Sequence, residues 1–202
     1  MTSFPGLSES SIAIVGLGLM GGSLAAALSA RRACRRVIGV ARRRESVEQA
    51  LAHGWINAGT TDATEGVKGA NLVVLATPPR VILEQIGRLG PLLPAGCLLM
   101  DLASTKSAVL AAMADLPAHV HPIGGHPMCG KEATGLEAAT ADLYAGRPFV
   151  LSPLERTPPG AMRLACALVD AVGAMPVLVD AAAHDRMVAW VSHLPHLVAL
   201  AL

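Results

Sequence analysis

One histidine lies in an unusual setting, between glycines and a proline, in the segment GGHPMCGKE (residues 124–132). Glycines on both sides of His126 allow sharp turns, and Pro127 stiffens the backbone directly after it. We therefore expect a rigid loop that holds the imidazole of His126 in one place. An unperturbed histidine has a pKa of about 6.5, so near neutral pH it can accept a proton from a substrate hydroxyl. A loop histidine with a purely structural hydrogen bond is the alternative.

A second group of candidate residues forms the motif GxGxxG, which comprises Gly16, Leu17, Gly18, Leu19, Met20 and Gly21. The motif follows an apolar segment typical of a buried strand and precedes a segment typical of a helix, which is the context of a dinucleotide-binding turn. Its three glycines would allow the tight turn, the approach of a pyrophosphate, and close packing of helix on strand. The helix N-terminus at Leu19 and Met20 would stabilise the phosphate charge. A glycine-rich packing turn is the alternative.

The end of the next predicted strand indicates which dinucleotide would bind. A free ribose 2′-hydroxyl is usually held by an Asp or Glu at this place, whereas the chain has Ala41 followed by Arg42 and Arg43. A guanidinium group suits a 2′-phosphate by its charge and by its geometry. We therefore expect NADP to be favoured over NAD. The alternative is that both arginines only face solvent.

Two further predicted strands end in residues that could border a ligand. Thr77 and Pro78 follow a strand predicted over residues 71–76, and Ser104 follows one predicted over residues 97–102. Ligands of open α/β sheets bind outside the carboxyl ends of the strands. We expect Thr77 and Pro78 to border the cofactor and Ser104 to reach its nicotinamide end. An N-cap role for Ser104 in the following helix is equally compatible with the sequence.

Apolar segments alternate with helical segments along most of the chain. Strands are predicted at residues 11–15, 37–41, 71–76, 97–102, 120–123, 149–151 and 176–179, and helices at 20–30, 44–53, 81–89, 106–114 and 160–172. This alternation predicts an α/β fold, a doubly wound and mostly parallel sheet of the Rossmann type, over residues 1–180. The apolar helical stretch 184–202 has no C-cap. We interpret residues 181–202 as the start of a second, all-helical domain that is cut off.

The composition argues against several classes of protein. Of the 202 residues, 52% are hydrophobic and 15% are charged, which favours a folded globular protein, and the net charge of +1 gives no general attraction for nucleic acid or a membrane surface. The uncharged run over residues 12–30 is broken by glycines, which favours a strand, turn and helix over a membrane span.

The four cysteines include no CxxC pair, so we expect free thiols and a cytoplasmic location. Because His193 and His196 have no third ligand at a suitable spacing, we expect no metal.

These segments, in this order, resemble the prephenate and arogenate dehydrogenases of tyrosine biosynthesis. The motifs that carry the resemblance are GLGLMGGSLA, DLASTK, GGHPMCGKEATGLEAA and HDRMVAWVSHLPHLVALAL. The resemblance implies an NAD(P)-dependent oxidative decarboxylation, in which hydride leaves the hydroxyl-bearing ring carbon and carbon dioxide leaves across the ring. The substrate would be prephenate or arogenate, and the product 4-hydroxyphenylpyruvate or tyrosine.

The resemblance also implies roles for particular residues. His126 matches the catalytic histidine, Ser104 a serine that contacts the hydroxyl and the nicotinamide region, and His193 a histidine that faces the substrate. Lys131 and Glu132 match positions that border the substrate site. Thr or Ser often fills the first of these positions, so Lys131 is a departure from the family. It could attract the substrate's carboxylates, and Glu132 could gate the pocket or cap the next helix.

The family's second domain is a helical dimerisation unit, and it supplies an arginine that pairs with the substrate's carboxylate. Both would lie beyond Leu202, so a homodimer is expected of the complete enzyme. Two alternatives remain. One is a β-hydroxyacid dehydrogenase, which would need a lysine where this chain has His193 to His196. The other is an NADP-binding fragment without catalytic activity.

Overall fold

The fold is described over residues 4–201 of a computed structural model, without the side chains of residues 193, 196, 200 and 201. Its strands are β1 (Ser11–Val15), β2 (Arg36–Val40), β3 (Ala58–Thr60), β4 (Leu72–Leu75), β5 (Leu98–Asp101), β6 (His121–Pro127), β7 (Pro148–Pro153) and β8 (Met175–Leu178). They form one sheet in the order β3-β2-β1-β4-β5-β6-β7-β8. All neighbours are parallel except β6 and β7, which pair antiparallel. The predicted mostly parallel sheet is confirmed.

Helices connect the strands and then continue past the sheet. They are α1 (Leu19–Ala30), α2 (Arg44–Ala52), α3 (Ala63–Gly66), α4 (Pro79–Leu89), α5 (Ser107–Ala114), α6 (Pro159–Ala171), α7 (Ala181–Val188) and α8 (Leu194–Ala201). The last two are joined by a π-helical segment, Ala189–His193. The stretch predicted as one helix over residues 184–202 is therefore two α-helices with a π-helical interruption. Pro195, which has no N–H to donate, lies just after this interruption.

Both faces of the central strands β1, β4 and β5 are buried, which explains why these strands are apolar without alternation, whereas the edge strand β8 is exposed along its whole length. Ile12 and Ile14 point into one cluster, and Ala13 and Val15 point into the other. Helices α1, α2 and α6 contribute to the first cluster, and α3, α4 and α5 contribute to the second. Successive strand residues face opposite sides, so both sets require an apolar partner layer. This arrangement is the doubly wound fold expected from the sequence.

The structure adds two features that the sequence did not indicate. The short β3 and α3 were not predicted, because Ala-Gly-Thr and a four-residue helix carry little apolar periodicity. Strand β6 also extends further than predicted. His126 lies inside it and pairs with Val150 of β7, so the expectation of a loop at this histidine was wrong. A ladder of backbone hydrogen bonds, rather than a stiff loop, fixes the position of His126.

The uncharged run over residues 12–30 forms β1, a turn and α1, as expected. No helix within the described part of the chain is long and apolar enough to cross a membrane.

Candidate active site

The turn between β1 and α1 has the geometry that its three glycines predict. Gly16 has a φ of 109°, and a Cβ atom there would lie 2.7 Å from the carbonyl oxygen of Ala76. A Cβ atom on Gly21 would collide with the carbonyl oxygen of Gly16, so the helix packs directly on the turn. Gly18 differs, because a Cβ atom there would meet no atom within 4 Å among the described residues other than its chain neighbours. Packing within the protein does not require glycine at position 18, whereas the approach of a pyrophosphate does.

A cleft of about 1170 Å³ opens at this turn, outside the carboxyl ends of β1, β2 and β4. It lies at the point where the strand order reverses, between β1 and β4. Its lining includes Gly16, Leu17, Gly18, Arg42, Arg43, Thr77, Pro78 and Arg88. The first turn of α1, with Leu19, Met20 and Gly21, borders the glycine turn, and the Tyr144 hydroxyl donates a hydrogen bond to the Met20 carbonyl at 2.7 Å. A site of this size and position fits a dinucleotide.

The two arginines of the predicted specificity site, Arg42 and Arg43, are exposed and line the cleft. No acidic side chain occupies the position after β2, where Ala41 donates its N–H to Thr60. Asp62 also lines the cleft, but its carboxylate accepts the Thr64 N–H at 2.8 Å and so caps α3. The positive charges of Arg42 and Arg43 at this end of the cleft therefore suit an anionic group of a ligand.

The turn after β4 is held by a side-chain hydrogen bond. The Thr77 hydroxyl donates to the Gln85 side-chain oxygen at 2.7 Å, and Pro78 is the N-cap residue of α4. Gln85 is buried. The bond fixes the rim of the cleft next to Gly16, where Thr77 is in close contact.

His126 lies near the carboxyl end of β6, which runs parallel to β5 and hence ends at the same edge of the sheet as the cleft. The Nδ1 atom of His126 lies 2.8 Å from Nε2 of His184, and the two rings meet edge to face with centroids 5.1 Å apart. The Nδ1 atom of the fully buried His184 lies 2.8 Å from Oδ1 of Asp185. We call His126, His184 and Asp185 the histidine network.

Asp185 connects the histidine network to the start of α5. Its two carboxylate oxygens accept the backbone N–H groups of Lys106 and Ser107, at 2.7 and 2.8 Å. Burial alone would raise the pKa of Asp185, but hydrogen bonds from Ser107, His184 and the Lys106 backbone outweigh it and hold this pKa well below its usual value. Asp185 is therefore a carboxylate anion that only accepts hydrogen bonds.

A buried ion pair between Lys106 and Asp101 contacts β6 at Gly125. The Lys106 ammonium group contacts the Asp101 carboxylate and also donates to the Gly125 carbonyl at 2.7 Å. Burial raises the pKa of Asp101 and lowers that of Lys106, while the attraction between the two groups opposes both shifts. Asp101 also accepts the Gly125 N–H at 3.2 Å. Both the N–H and the carbonyl group of Gly125, the residue directly before His126, are thus hydrogen-bonded.

Ser104 is exposed in the loop that leads from β5 to α5, at the same edge of the sheet. The alternative N-cap role is not observed. Helix α5 begins at Ser107, and its first N–H groups are capped by Asp185, a residue distant in sequence.

The predicted substrate residues Lys131 and Glu132 are both exposed, in the segment after β6. The Lys131 ammonium group donates to the Thr140 hydroxyl at 3.0 Å and to the Ala138 carbonyl at 3.4 Å. In this arrangement Lys131 joins the two ends of the segment 131–140. The backbone of His193 lies in the π-helical segment, and its side chain is outside the described residues.

Two other types of site find no support among the described side chains. No group of three or more His, Cys, Asp or Glu residues is placed to hold a metal ion within that set. All four cysteines are free, and burial raises the pKa of the Cys129 thiol, which disfavours a thiolate nucleophile.

Sequence reasoning assigned no role to His184 or Asp185. Both lie at the start of the quoted segment HDRMVAWVSHLPHLVALAL. The available signal was an adjacent His-Asp pair in an otherwise apolar helical stretch, since buried polar residues require partners. The identity of those partners depends on the tertiary fold.

The fold and the cleft define a nucleotide-binding domain of the Rossmann type. Residues 24–178 match the family model described as the nucleotide-binding domain of prephenate dehydrogenase, and residues 180–202 match the one for its dimerization domain. The chain therefore belongs to the prephenate dehydrogenase family. This assignment argues against the β-hydroxyacid dehydrogenase alternative.

Individual relatives agree with the family assignment. The chain is 33% identical over 198 residues to the prephenate dehydrogenase of Bacillus subtilis (strain 168), covering 96% of this chain and 53% of the relative. It thus spans about half the length of that protein. The crystal structure of Synechocystis arogenate dehydrogenase matches with a TM-score of 0.87 and 34% identity, over 95% of this chain and 67% of that one. The Aquifex aeolicus prephenate dehydrogenase in complex with hydroxyphenyl propionate and NAD+ matches with a TM-score of 0.88 and 30% identity, over 98% and 69%.

Proposed function

We propose that this protein catalyses the NAD(P)-dependent oxidative decarboxylation of prephenate or arogenate. The observation that carries the proposal is the placement of His126 at the same sheet edge as the dinucleotide cleft, with its ring held by a buried partner. Relatives that are 30–34% identical over nearly the whole chain are named prephenate or arogenate dehydrogenases.

Some of these residues would bind the cofactor, and another would transfer a proton. The backbone at Gly16 and Gly18 and the start of α1 would hold the pyrophosphate, and Thr77 and Pro78 would shape the rim. His126 would accept the proton of the ring hydroxyl, which becomes more acidic as the ring carbon loses its hydride. When bound, the nicotinamide supplies the acceptor for that hydride. The electrons of the broken bond to carbon dioxide remain in the ring, which becomes aromatic.

Four further residues are proposed to contact or border the substrate. Ser104 would contact the hydroxyl from the loop after β5, and His193 would face the ring from the helical segment. Lys131 and Glu132 would border the pocket. Lys131 would need to exchange its bond with Thr140 for one with a substrate carboxylate.

The first test follows formation of reduced nicotinamide by the purified chain with prephenate or arogenate, each with NADP and with NAD. We expect turnover with at least one of the two substrates. Cofactor binding without turnover of either substrate would support the alternative of a non-catalytic NADP-binding fragment. The absence of cofactor binding would contradict the assignment of the cleft.

We propose NADP as the preferred cofactor. The support is the exposed pair Arg42 and Arg43 on the cleft and the engagement of the nearby Asp62 carboxylate in capping α3. Hydrogen bonds to a charged group contribute about 1.5–3 kcal/mol, which corresponds to a preference of roughly 10- to 100-fold.

Ala41→Asp tests the cofactor preference, because a carboxylate there would repel a 2′-phosphate and accept from a 2′-hydroxyl. We expect the ratio of kcat/KM for NADP to that for NAD to fall by about 10-fold or more. Ala41→Asn is the matched control, since it adds similar volume without charge. An unchanged ratio in Ala41→Asp would contradict the proposal.

We also propose that the protein is a homodimer in the cytoplasm. The helices after the sheet carry apolar side chains that are exposed in the single chain, including Trp190 at 72%, Val191, Leu197 and Val198. These residues lie in the segment that matches the dimerization domain. Sedimentation velocity of the purified protein should show a dimer, and Trp190→Glu should shift it toward the monomer.

The free cysteines support the proposed location in a reducing compartment, which cell fractionation can check.

A further inference from the structure

The hydrogen bonds of the histidine network determine which ring nitrogens of His184 and His126 carry protons. Each of its groups has a neighbour that restricts which hydrogen-bonding role it can take. Asp185 begins the series, because its oxygens already accept the N–H groups of Lys106 and Ser107. A carboxylate in this setting can only accept from the next group, His184.

The role of His184 follows from that of Asp185. Its Nδ1 atom faces the carboxylate at 2.8 Å, so Nδ1 carries the proton and donates. A neutral imidazole has one donor and one acceptor nitrogen, which makes Nε2 of His184 an acceptor. With its single proton on Nδ1, the fully buried ring forms a hydrogen bond with both of its neighbours.

The role of His126 follows in turn. Its Nδ1 atom lies 2.8 Å from the acceptor Nε2 of His184, so this Nδ1 must carry the proton. The lone pair of His126 is then on Nε2, the nitrogen on the other side of the ring. We propose that His184 and Asp185 are positioning residues that fix the tautomer and the ring orientation of His126, so that Nε2 is the atom that accepts the substrate's proton.

The consequence for the reaction rests on the proposed function. The hydroxyl proton moves to Nε2 of His126 and returns to the ring oxygen after carbon dioxide has left, which gives the phenol. The proton on Nδ1 stays in place. His184 donates no proton to the substrate and receives none. It holds the imidazolium that forms, through a hydrogen bond polarised by the Asp185 carboxylate. In the opposite tautomer, Nε2 of His126 would be a donor and could not act as the base.

The network also joins the two parts of the chain. His126 lies in the segment that matches the nucleotide-binding domain, whereas His184 and Asp185 lie in the segment that matches the dimerization domain. The contact spans 58 residues of sequence. The sheet domain alone would therefore present His126 without the partner that sets its tautomer.

The tautomer can be measured without substrate, by ring ¹⁵N–¹H correlation spectra of the labelled 202-residue chain at a pH where His126 is neutral. His126→Asn identifies the His126 signals among those of the seven histidines. We expect the proton of His126 on Nδ1. A proton on Nε2 in the wild-type chain would overturn the inference, whatever the activity of the protein.

Two variants of His184 separate positioning from a merely structural role. In His184→Gln the side-chain oxygen can replace Nε2 as the acceptor, so we expect the wild-type tautomer and turnover within about 10-fold of wild type. In His184→Phe the acceptor is lost, so we expect a mixed tautomer and a fall in kcat of about 10²-fold with little change in KM. A wild-type tautomer in His184→Phe would overturn the inference.

Controls keep the outcomes distinct. Thermal unfolding and cofactor binding show whether each variant folds and keeps its cleft. If His184→Phe does not fold, the wild-type and His184→Gln spectra still decide the tautomer. A wild-type chain that turns over neither substrate would contradict the proposed function, while the spectra would still decide between the two tautomers.

Discussion

The cleft at Gly18 and the histidine network lie at the same edge of the sheet, but they are built in different ways. The cleft depends on backbone geometry within short segments, such as the φ of 109° at Gly16 and the open space beside Gly18. The histidine network depends on residues that are far apart in sequence; Lys106 and Asp185, for example, are 79 positions apart. A site made from local backbone is recognisable as a motif. A site made from distant side chains exists only once α7 has docked on the sheet.

This difference predicts that the two regions can be disrupted separately. Substitutions that remove the base His126, or the acceptor atom that His184 offers to it, should lower turnover and leave cofactor binding intact. Substitutions in the glycine turn should weaken cofactor binding and leave the histidine geometry intact.

The largest effect is expected for His126→Asn. The variant keeps a polar side chain in β6 but removes the base, and general-base catalysis contributes about 10²- to 10⁴-fold to turnover. We expect kcat to fall by that factor, with the dissociation constant of NADP unchanged by fluorescence titration. Turnover near the wild-type level would show that His126 is not the base.

The next largest effect is expected in the glycine turn, where substitutions of Gly18 and Gly16 can be compared. A methyl group on Gly18 would meet no atom of the described, non-neighbouring residues within 4 Å, but it would lie where we propose that the pyrophosphate approaches. We expect Gly18→Ala to weaken cofactor binding by roughly 10-fold or more, which corresponds to about 1.4 kcal/mol, without lowering the unfolding free energy.

Gly16→Ala is the matched comparison, because its Cβ atom would lie 2.7 Å from the Ala76 carbonyl oxygen at a positive φ. We expect its free energy of unfolding to fall by about 1–3 kcal/mol in urea denaturation. Equal destabilisation by Gly18→Ala would show that Gly18 serves packing rather than ligand approach.

A smaller effect is expected for the pH dependence of stability through Asp185. Its pKa is lowered in the folded protein, so its contribution is present above the unfolded pKa of about 3.9 and is lost as the pH falls toward the folded pKa. We expect Asp185→Ala to lower the unfolding free energy by about 1 kcal/mol near pH 7, as the loss of a helix cap does. The difference from wild type should shrink below about pH 4. A constant difference across the range would exclude an ionised Asp185 as its source.

The smallest effect is expected for Lys131→Met. If the ammonium group attracts the substrate's carboxylates, KM should rise by a few-fold and kcat should stay the same, since an exposed charge contributes about 0.2–1 kcal/mol. Lys68→Met is the control for a general loss of positive charge, because Lys68 is an exposed lysine paired with Glu65. An equal change in both variants would contradict a specific role for Lys131.

Much of the fold could be predicted from the sequence, because buried parallel strands are continuous apolar runs. The segments at Ile12, Val73 and Leu99 have this character on both faces. The turn between β1 and α1 could be predicted for a related reason, since local sterics require glycine at Gly16 and Gly21. Strand β3 was missed because three small residues give no periodic signal.

The histidine network could be predicted only in part. His126 was found from its neighbours in sequence, but its setting in a strand depends on pairing with β7, which the glycines and proline do not indicate. His184 and Asp185 have no local signature, because their roles arise from contacts with β6 and with the start of α5. The N-cap role weighed for Ser104 was taken by Asp185 for the same reason.

We propose that the dinucleotide cleft and His126 form one active site. The most direct test is a crystal structure of this chain with NADP and hydroxyphenyl propionate, the ligand named for the Aquifex aeolicus relative. We expect the dinucleotide in the cleft at Gly18 and the phenolic hydroxyl within about 3 Å of Nε2 of His126. A hydroxyl bound away from His126, or a dinucleotide bound outside the cleft, would contradict it.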